Sequence, residues 1–413
     1  MYPLDVTNRE KLFLPDRALK KLVKEQPTPF YLYDEASIKD TVRKLMDAFA
    51  WKTGFGLYFP VRMNANATIL RILLQSGCGV SCCTGMELML CERVGFTGTK
   101  ILYAPMVMDP DADRLCRKLG AVRVIENEAV LPQEIPAHVL LRLNPDSDSS
   151  GSDRAEKRRF GMSGQTILSV VSRLLAYGSC SIGLCAEGAA MEKRPDYYPM
   201  VARKLFSLAD TIRKEQNVLV DWIHLGAGLP FTYRPGSQNP DVMAISSEIS
   251  TLSEQFLLPA GLGNVRLSME PGRYLLAGAG IFVMHVCSVT QSTVPLILTD
   301  GSMAQLARPS QIGNYHYVSV LGKHEVRGRI VCNVAGALAD RRDLFARRCV
   351  LSPVRPGDCI IVHDVGADGA ALQNGYGGVL GCAQYLHAAN GTLRQIACAQ
   401  RPEQWLSACG LPD

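Results

Sequence analysis

The chain of 413 residues carries 44 Lys and Arg against 39 Asp and Glu, which gives a formal net charge of +5. This basic excess is small for the length and gives no reason to expect a nucleic acid partner. The 47% share of hydrophobic residues is typical of a globular protein. No apolar run reaches the roughly 18 residues of a membrane-spanning helix. Because a basic and then apolar leader is also missing, we expect a cytoplasmic protein with no membrane partner.

The fourteen cysteines are scattered along the chain. Without a secretory signal they are expected to be reduced thiols, most of them buried. The adjacent pair Cys82 and Cys83 has no second Cys or His pair at the spacing of a zinc site. The sequence therefore predicts no bound metal.

Short apolar runs alternate with helical patterns from about residue 28 onward. The run TPFYLYD predicts a first strand, and GLYFPV and GVSCC predict the next two, each with a helical pattern after it. The alternation continues through KILYAP, VRVIEN, HVLLRLNP, SIGLCAE and DWIHLGAG. Repeated βα units of this kind predict an α/β fold with a parallel sheet, most simply a TIM-like (β/α)₈ barrel over residues 28–262.

The pattern changes after about residue 263. Strand-like segments now follow one another with few helical stretches between them, as in VRLSMEPGRYLLAGAGIFVMHVCSVTQS and DCIIVHDVG. Residues 263–413 are therefore expected to form a second, mainly β domain.

Four motifs, in this order along the chain, resemble those of one family: HLGAGLP, EPGRYLLAGAG, TDGSMAQLARPSQIGNYH and PGD. Their order and spacing resemble the fold-type III pyridoxal-phosphate decarboxylases, the diaminopimelate and ornithine decarboxylase group. The resemblance implies a barrel that carries the cofactor and a β domain that also includes residues 1–27. It further implies a head-to-tail homodimer whose active sites take residues from both chains.

Arg62, in FPVRMNAN, stands where this family has the lysine that forms a Schiff base with pyridoxal phosphate. That reaction needs an amine that can lose its proton and attack a carbonyl carbon. A guanidinium stays protonated and is a poor nucleophile. Arg62 therefore cannot take the lysine's role. Two interpretations stay open: an arginine that forms a plain salt bridge, or a clamp for the carboxylate or phosphate of a ligand.

Five further positions of the family's chemistry carry other residues. The serine and the tyrosine that hold the phosphate align with Ala190 and Asp368. The ring-stacking histidine aligns with Glu187, the interfacial cysteine with Ala339, and the aspartate near the lysine with Ser81. A carboxylate at position 368 would repel a phosphate dianion. We therefore expect that no pyridoxal phosphate is bound, and that Arg62→Lys alone would not restore its attachment.

Other family positions keep their residues. By resemblance, the cofactor-binding positions are Gly226, Gly228, Glu270 and Arg273, with Glu270 as the partner of the pyridine nitrogen. The substrate-binding positions are Arg142, Asp300, Arg308 and Tyr315. The two nearby histidines, His224 and His316, are expected to be packing residues.

Three functions are compatible with this pattern. The first is a decarboxylase-like pseudoenzyme that binds a small, amino-acid-like molecule or pairs with an active paralogue. The second is a repurposed biosynthetic enzyme with cofactor-free chemistry at the barrel mouth. Its candidate catalytic residues are Arg62, Glu187, Glu270 and Asp368. The third is a divergent amino-acid decarboxylase that still depends on pyridoxal phosphate.

Overall fold

The computed structural model describes residues 12–132, 134–146, 160–178, 180–186, 196–323 and 328–411. These residues divide into two compact units. The barrel unit comprises residues 39–230 and 240–275. The sheet unit comprises the described residues up to 38, residues 231–239 and the described residues from 276 onward.

The barrel unit is built on eight parallel strands that close into a ring in chain order, with the last strand paired to the first. The strands are β2 (Gly56–Pro60), β3 (Gly79–Cys82), β4 (Ile101–Tyr103), β5 (Val122–Ile125), β6 (His138–Leu143), β7 (Ser181–Ala186), β8 (Trp222–Ala227) and β9 (Arg266–Glu270). The helices are α3 (Ala67–Gln75), α4 (Gly85–Val94), α5 (Pro110–Lys118), α6 (Gly164–Tyr177), α7 (Tyr197–Gln216), α8 (Val242–Leu252) and α9 (Gly272–Leu276).

Side-chain caps fix where the first helices of the barrel unit begin. Asn66 accepts a hydrogen bond from the backbone N–H of Thr68 at the start of α3. Thr84 accepts one from the N–H of Glu87 at the start of α4, and Gly95 ends α4 in the left-handed conformation. Such caps satisfy backbone groups that a helix end leaves unpaired. They also fix the short loops that join the carboxyl ends of β2 and β3 to these helices.

The sheet unit contains a nine-stranded sheet with parallel and antiparallel pairs. Its strands are β1 (Phe30–Asp34), β10 (Gly280–Val289), β11 (Leu296–Thr299), β12 (Val318–Val320), β13 (Ile330–Ala335), β14 (Leu344–Leu351), β15 (Cys359–His363), β16 (Ala383–His387) and β17 (Leu393–Ala397). The helices α1 (Asp16–Glu25) and α10 (Pro402–Ala408) also belong to the sheet unit, whereas α2 (Glu35–Ala48) starts in this unit and lies mostly in the barrel unit. Leu19 and Leu22 of α1 pack with Phe30 and Ile361 in one buried cluster.

The predicted fold class is confirmed: a closed eight-stranded parallel barrel accompanies a mainly β sheet. The predicted boundaries are shifted by one strand. The run TPFYLYD, expected to open the barrel, instead forms β1, which pairs antiparallel with β10 and parallel with β16. The last barrel strand is β9, which lies beyond the expected limit at residue 262.

The shift has a simple physical reason. All five residues of β1 are buried, and so are four of the five residues of β9. A strand buried on both faces has the same apolar run in a central sheet position as in a parallel barrel. Its partners are then set by contacts distant in sequence.

Within the part of the chain that the structure describes, no helix is long and apolar enough to cross a membrane.

Candidate functional site

Arg62 lies at the carboxyl end of a barrel strand, the end at which barrel enzymes build their sites. After β2 the chain makes one 3₁₀ turn, Val61–Met63. Val61 and Met63 are buried and anchor this turn, whereas the side chain of Arg62 is 45% exposed. The turn therefore holds a cationic side chain at the barrel mouth.

Glu270 is the last residue of β9, the strand that pairs with β2 to close the barrel. Its carboxylate is buried, and its Oε1 lies 4.0 Å from Nη1 of Arg62. Because β2 and β9 are parallel neighbours, their carboxyl ends place these two side chains together. The site thus has a buried anion beneath a partly exposed cation.

A chain of polar contacts reaches Glu270 from inside the barrel. Trp222 Nε1 donates to Oγ of Ser268 at 2.7 Å, and this oxygen lies 2.8 Å from Nδ1 of His224. The other ring nitrogen of His224 lies 3.6 Å from Glu270 Oε2, slightly longer than a hydrogen bond. Trp222, His224 and Ser268 are all buried.

The surroundings of Glu270 keep its carboxyl group ionised. Burial raises the pKa of Glu270, but the contact with His224 and the positive charges of Arg62 and Arg142 outweigh it, so the pKa lies below its ordinary value. Arg142 itself is buried on β6 and pairs with Glu126 at 3.0 Å. The predicted substrate residue Arg142 is therefore held by a carboxylate of its own unit.

Two groups near the end of β3 complete the described barrel mouth. Nη1 of Arg62 lies 3.5 Å from Sγ of Cys83, whose backbone N–H donates to Glu87 Oε2 at 2.5 Å. Burial raises the pKa of the Cys83 thiol and of the Glu87 carboxyl group. Ser81, at the position of the family's aspartate, is buried on β3.

Gly226 and Gly228 lie at and just after the end of β8. Their φ angles of 79° and 117° fall in the left-handed region that favours glycine. Both positions therefore adopt backbone conformations that residues with a side chain rarely reach. Arg273, another predicted cofactor residue, lies half-buried in α9.

In the sheet unit, Arg308 and Asp368 form a largely buried ion pair. Arg308 is 2% exposed and its Nη1 donates to Asp368 Oδ2 at 2.9 Å. Its Nε donates to His316 Nε2 at 3.3 Å, and the Nδ1 of that histidine donates to the carbonyl of His363 at 2.8 Å. The guanidinium also lies 5.1 Å from the ring centroid of Tyr233. The charge of Asp368 is thus compensated, which removes the reason for expecting it to repel a phosphate.

The other predicted residues of the sheet unit have structural contacts. Asp300 accepts hydrogen bonds from the backbone N–H of His285 at 2.8 Å and from the hydroxyl of Thr28 at 2.5 Å. The ring of Tyr315 is partly exposed, with the guanidinium of Arg234 at 4.4 Å from its centroid. Ala339, at the position of the family's cysteine, lies exposed in the loop between β13 and β14.

The predictions for Glu187 and Ala190 lie outside the described residues. Sequence reasoning missed the roles of Trp222 and Ser268 and treated His224 as a packing residue. The signal was present in the alternation of β8 and β9. Trp222 and His224 are two apart on one strand, as are Ser268 and Glu270 on the next, so each pair shares a face.

The comparisons with known proteins agree with this architecture. The family model for pyridoxal-dependent decarboxylases, pyridoxal binding domain, matches residues 35–277. Protein TabA of Pseudomonas amygdali pv. tabaci is 28% identical over 94% of each chain. Diaminopimelate decarboxylase of Methanothermobacter thermautotrophicus is 24% identical over 91% of this chain and 90% of its own. The crystal structure of diaminopimelate decarboxylase from M. jannaschii matches with a TM-score of 0.86 at 21% identity, over 95% of this chain and 94% of that one.

The expectation that pyridoxal phosphate is absent is contradicted by the match to a pyridoxal binding domain. The residues around the site fit pyridoxal phosphate in part. Glu270 is a buried carboxylate with a lowered pKa, which fits a ring nitrogen, and Gly226 and Gly228 adopt left-handed backbone conformations. Arg62 fits the charge of a phosphate or carboxylate but does not fit covalent attachment. The expectation rested on Arg62, Ala190 and Asp368, but Arg62 excludes only the covalent bond, and the charge of Asp368 is compensated by Arg308.

Proposed function

This chain belongs to the pyridoxal-dependent decarboxylase family. We propose that it is a decarboxylase-like pseudoenzyme within that family. It binds pyridoxal phosphate reversibly at the barrel mouth and receives an amino-acid-like molecule there, without a bond to a lysine. The observation that carries the proposal is Arg62, placed over the buried carboxylate of Glu270 at 4.0 Å.

Arg62 supports binding in place of covalent chemistry. Its guanidinium is nearly half exposed, so it has room to donate to a ligand. The planar fork matches the two oxygens of a carboxylate or phosphate, whereas the group stays protonated at any physiological pH and does not attack an aldehyde. Position 62 therefore orients an anionic group.

Pyridoxal phosphate, when bound, supplies an electron-withdrawing pyridine ring. In this chain Glu270 would accept a hydrogen bond from the ring nitrogen, since the lowered pKa of its carboxyl group favours the ionised form. Backbone groups at Gly226 and Gly228 would receive the phosphate. Burial of Glu270 strengthens its attraction for a positive group because water is excluded from one side.

The ligand class follows from the same charges and from two structural relatives. The M. jannaschii diaminopimelate decarboxylase also matches in its co-complex with L-lysine, at a TM-score of 0.87. The lysine/ornithine decarboxylase of Vibrio vulnificus, complexed with putrescine, matches with a TM-score of 0.76. An amino acid such as lysine presents a carboxylate to an arginine and an ammonium group to a carboxylate. We therefore include free amino acids in the class of ligands.

The test is to add pyridoxal phosphate to the purified chain and follow its absorbance, then to reduce one sample with borohydride and remove free ligand from another by gel filtration. We expect saturable binding that gel filtration reverses, and no lysine adduct in the peptide mass spectrum. A stable adduct on any lysine would overturn the proposal. No binding of pyridoxal phosphate or of lysine at millimolar concentration would also overturn it.

Arg62→Lys and Arg62→Gln are the matched variants for this test. Arg62→Lys restores an amine, and because Asp368 is paired with Arg308 we now expect it to yield a borohydride-trapped adduct, in contrast to the earlier expectation. Arg62→Gln removes the charge without supplying an amine, so it should bind less tightly and give no adduct. An adduct in Arg62→Gln would show that the trapped lysine lies elsewhere.

We also propose that the chain forms a homodimer, as the family resemblance implies. Large apolar side chains on the surface of the barrel unit, such as Met86, Met89 and Val107, supply surface of the kind that subunits bury. Light scattering at micromolar concentration should give twice the mass of 45.1 kDa. A monomer would contradict the proposal and favour pairing with an active paralogue.

A further inference from the structure

We propose that His224 is a positioning residue that directs an N–H at Glu270, and that Trp222 and Ser268 fix its orientation. The inference rests on the proposed function only in that Glu270 then meets a ligand. The hydrogen-bonding chain itself is a property of the free protein. It assigns a role to three buried side chains that the binding of a ligand does not by itself explain.

The chain starts from a group that can only donate. The indole N–H of Trp222 has no acceptor capacity, so at 2.7 Å it makes Ser268 Oγ an acceptor. The hydroxyl then has one proton of its own to place. The nitrogen within reach is Nδ1 of His224 at 2.8 Å. Ser268 therefore donates to Nδ1, and the neutral ring carries its proton on Nε2.

The opposite arrangement is unfavourable at both ends. A neutral ring protonated on Nδ1 would turn the lone pair of Nε2 toward the carboxylate of Glu270 at 3.6 Å. It would also leave the hydroxyl proton of Ser268 without an acceptor among the described residues. Unpaired polar groups in a buried site are costly. With the proton on Nε2, each donor in this hydrogen-bonding chain faces an acceptor.

The two carboxylate oxygens of Glu270 have different neighbours. Oε2 faces His224, whereas Oε1 is the oxygen nearer Arg62. The other charged or titratable groups that act on this carboxylate or its neighbours are Arg142, Cys83 and Glu87. Because Oε2 is turned toward His224, Oε1 is the oxygen that Glu270 offers to a ligand N–H or ammonium group. The contact with His224 thereby orients the carboxylate, and it is one of the causes of the lowered pKa of Glu270.

Further contacts hold the imidazole ring in place. The ring of Tyr58 lies edge-on to His224 at 5.6 Å between centroids, and it also contacts the indole of Trp222 at 5.7 Å. The hydroxyl of Tyr58 donates to the carbonyl of Thr99 at 2.5 Å and accepts from Arg266 at 2.7 Å. A ring confined in this way keeps its two nitrogens pointed at fixed partners.

The first measurement uses the ligand-free chain. In ¹⁵N-labelled protein, the ring nitrogens of His224 are assigned as the signals that disappear in His224→Gln. We expect Nε2 to be protonated and Nδ1 to shift on Ser268→Ala. Ser246→Ala is the matched control, because Ser246 also accepts from an indole, that of Trp51, but donates to the carbonyl of Ala48. A ring protonated only on Nδ1 would overturn the inference, as would equal shifts in both serine variants.

The second measurement follows protonation of Glu270 by ¹³C NMR, with Glu270→Gln for assignment. His224→Leu should raise the midpoint pH at which Glu270 takes up its proton, since a favourable donor is lost. His224→Gln retains an N–H donor and should stay near the wild type. An unmoved midpoint in His224→Leu would refute the positioning role, even if the variant binds ligand normally.

The third measurement separates this inference from the proposed function. Affinity for pyridoxal phosphate at fixed pH should fall about tenfold in His224→Leu and remain near wild type in His224→Gln. Equal affinities in all three proteins would overturn the role of His224 toward the ligand. If the wild type binds neither pyridoxal phosphate nor lysine, the proposed function fails, while the two ligand-free measurements still decide the inference.

Discussion

The barrel unit and the sheet unit each contain an arginine that faces a carboxylate, and the two pairs are built in opposite ways. In the sheet unit the arginine is the buried member, with Arg308 2% exposed and 2.9 Å from Asp368. In the barrel unit the carboxylate is the buried member, with Arg62 45% exposed and 4.0 Å from Glu270. Both are arginine–carboxylate pairs, but the guanidinium is accessible to solvent in the barrel unit and buried in the sheet unit.

The contrast in burial indicates which pair stabilises the fold and which is available to a ligand. A buried guanidinium must keep its carboxylate, because an uncompensated charge in the interior is costly. An exposed guanidinium above a buried carboxylate can exchange its contacts for those of a ligand, while His224 and Arg142 still stabilise Glu270. We therefore assign Arg308 to stability and Arg62 to binding.

The largest effect is expected from Arg308→Met. The substitution removes the partner of Asp368 and the donor to His316, and it leaves a carboxylate in a partly buried position. Breaking a buried pair from one side typically costs about 3–5 kcal/mol. The shift of the urea unfolding midpoint, followed by circular dichroism, measures this cost.

The control is the double variant Arg308→Met with Asp368→Asn. Asp368 has a φ of 58°, and asparagine is among the residues that tolerate this left-handed backbone best. Because the double variant carries no unpaired charge, it should recover part of the lost stability. A double variant as unstable as the sum of the two single variants would mean that the pair is not coupled, and the contrast between the units would fail.

A smaller effect on the free energy of unfolding is expected as the pH falls, with opposite signs at Glu270 and Glu87. The lowered pKa of Glu270 means that its ionised form contributes stability above the unfolded-chain pKa of about 4.3, which is lost as the pH falls through the folded value. Glu270→Gln should thus be less stable than the wild type at pH 7 and approach it on acidification.

Glu87 provides the matched carboxyl group with the opposite shift. Burial raises its pKa, so its ionisation opposes folding at pH 7, and stability is gained as the pH falls through the raised value toward about 4.3. Glu87→Gln should therefore be no less stable than the wild type at pH 7 and lose that advantage in acid. Unfolding midpoints at pH 7, 5 and 4 measure both trends. The same sign for the two variants would contradict the described electrostatics.

Much of the fold could be predicted from the sequence, because βα alternation and strand-rich patterns are local signals. Seven of the expected barrel strands, from GLYFPV to DWIHLGAG, lie in the barrel. The exchange of β1 for β9 could not be predicted, since both are buried runs, and β1–β10 and β2–β9 each join strands more than 200 residues apart in sequence. Local pattern does not specify such partners.

The candidate site was predictable as far as single positions go. Arg62 and Glu270 could be placed at strand ends from motif order, and the structure brings them to 4.0 Å. The pairing of Asp368 with Arg308 could not be foreseen, because it joins residues 60 apart in sequence with strands β12 to β15 between them. Reading Asp368 alone suggested repulsion of a phosphate, whereas its partner cancels that charge.

The smallest effect is expected from Arg62→Met, which removes the charge and keeps much of the apolar length. Arg62 is too exposed for its contact with Glu270 to count as a buried pair, and pairs in such positions contribute about 0–1 kcal/mol. Glu270 keeps its contact with His224 and the field of Arg142, so the folded state loses little. We expect the unfolding midpoint to stay close to the wild type, while affinity for phosphate-bearing ligands falls. Urea unfolding and a pyridoxal phosphate titration on the same preparation measure both quantities. A loss of stability as large as that of Arg308→Met, with unchanged affinity, would make Arg62 a structural residue and reverse the assignment of the two pairs.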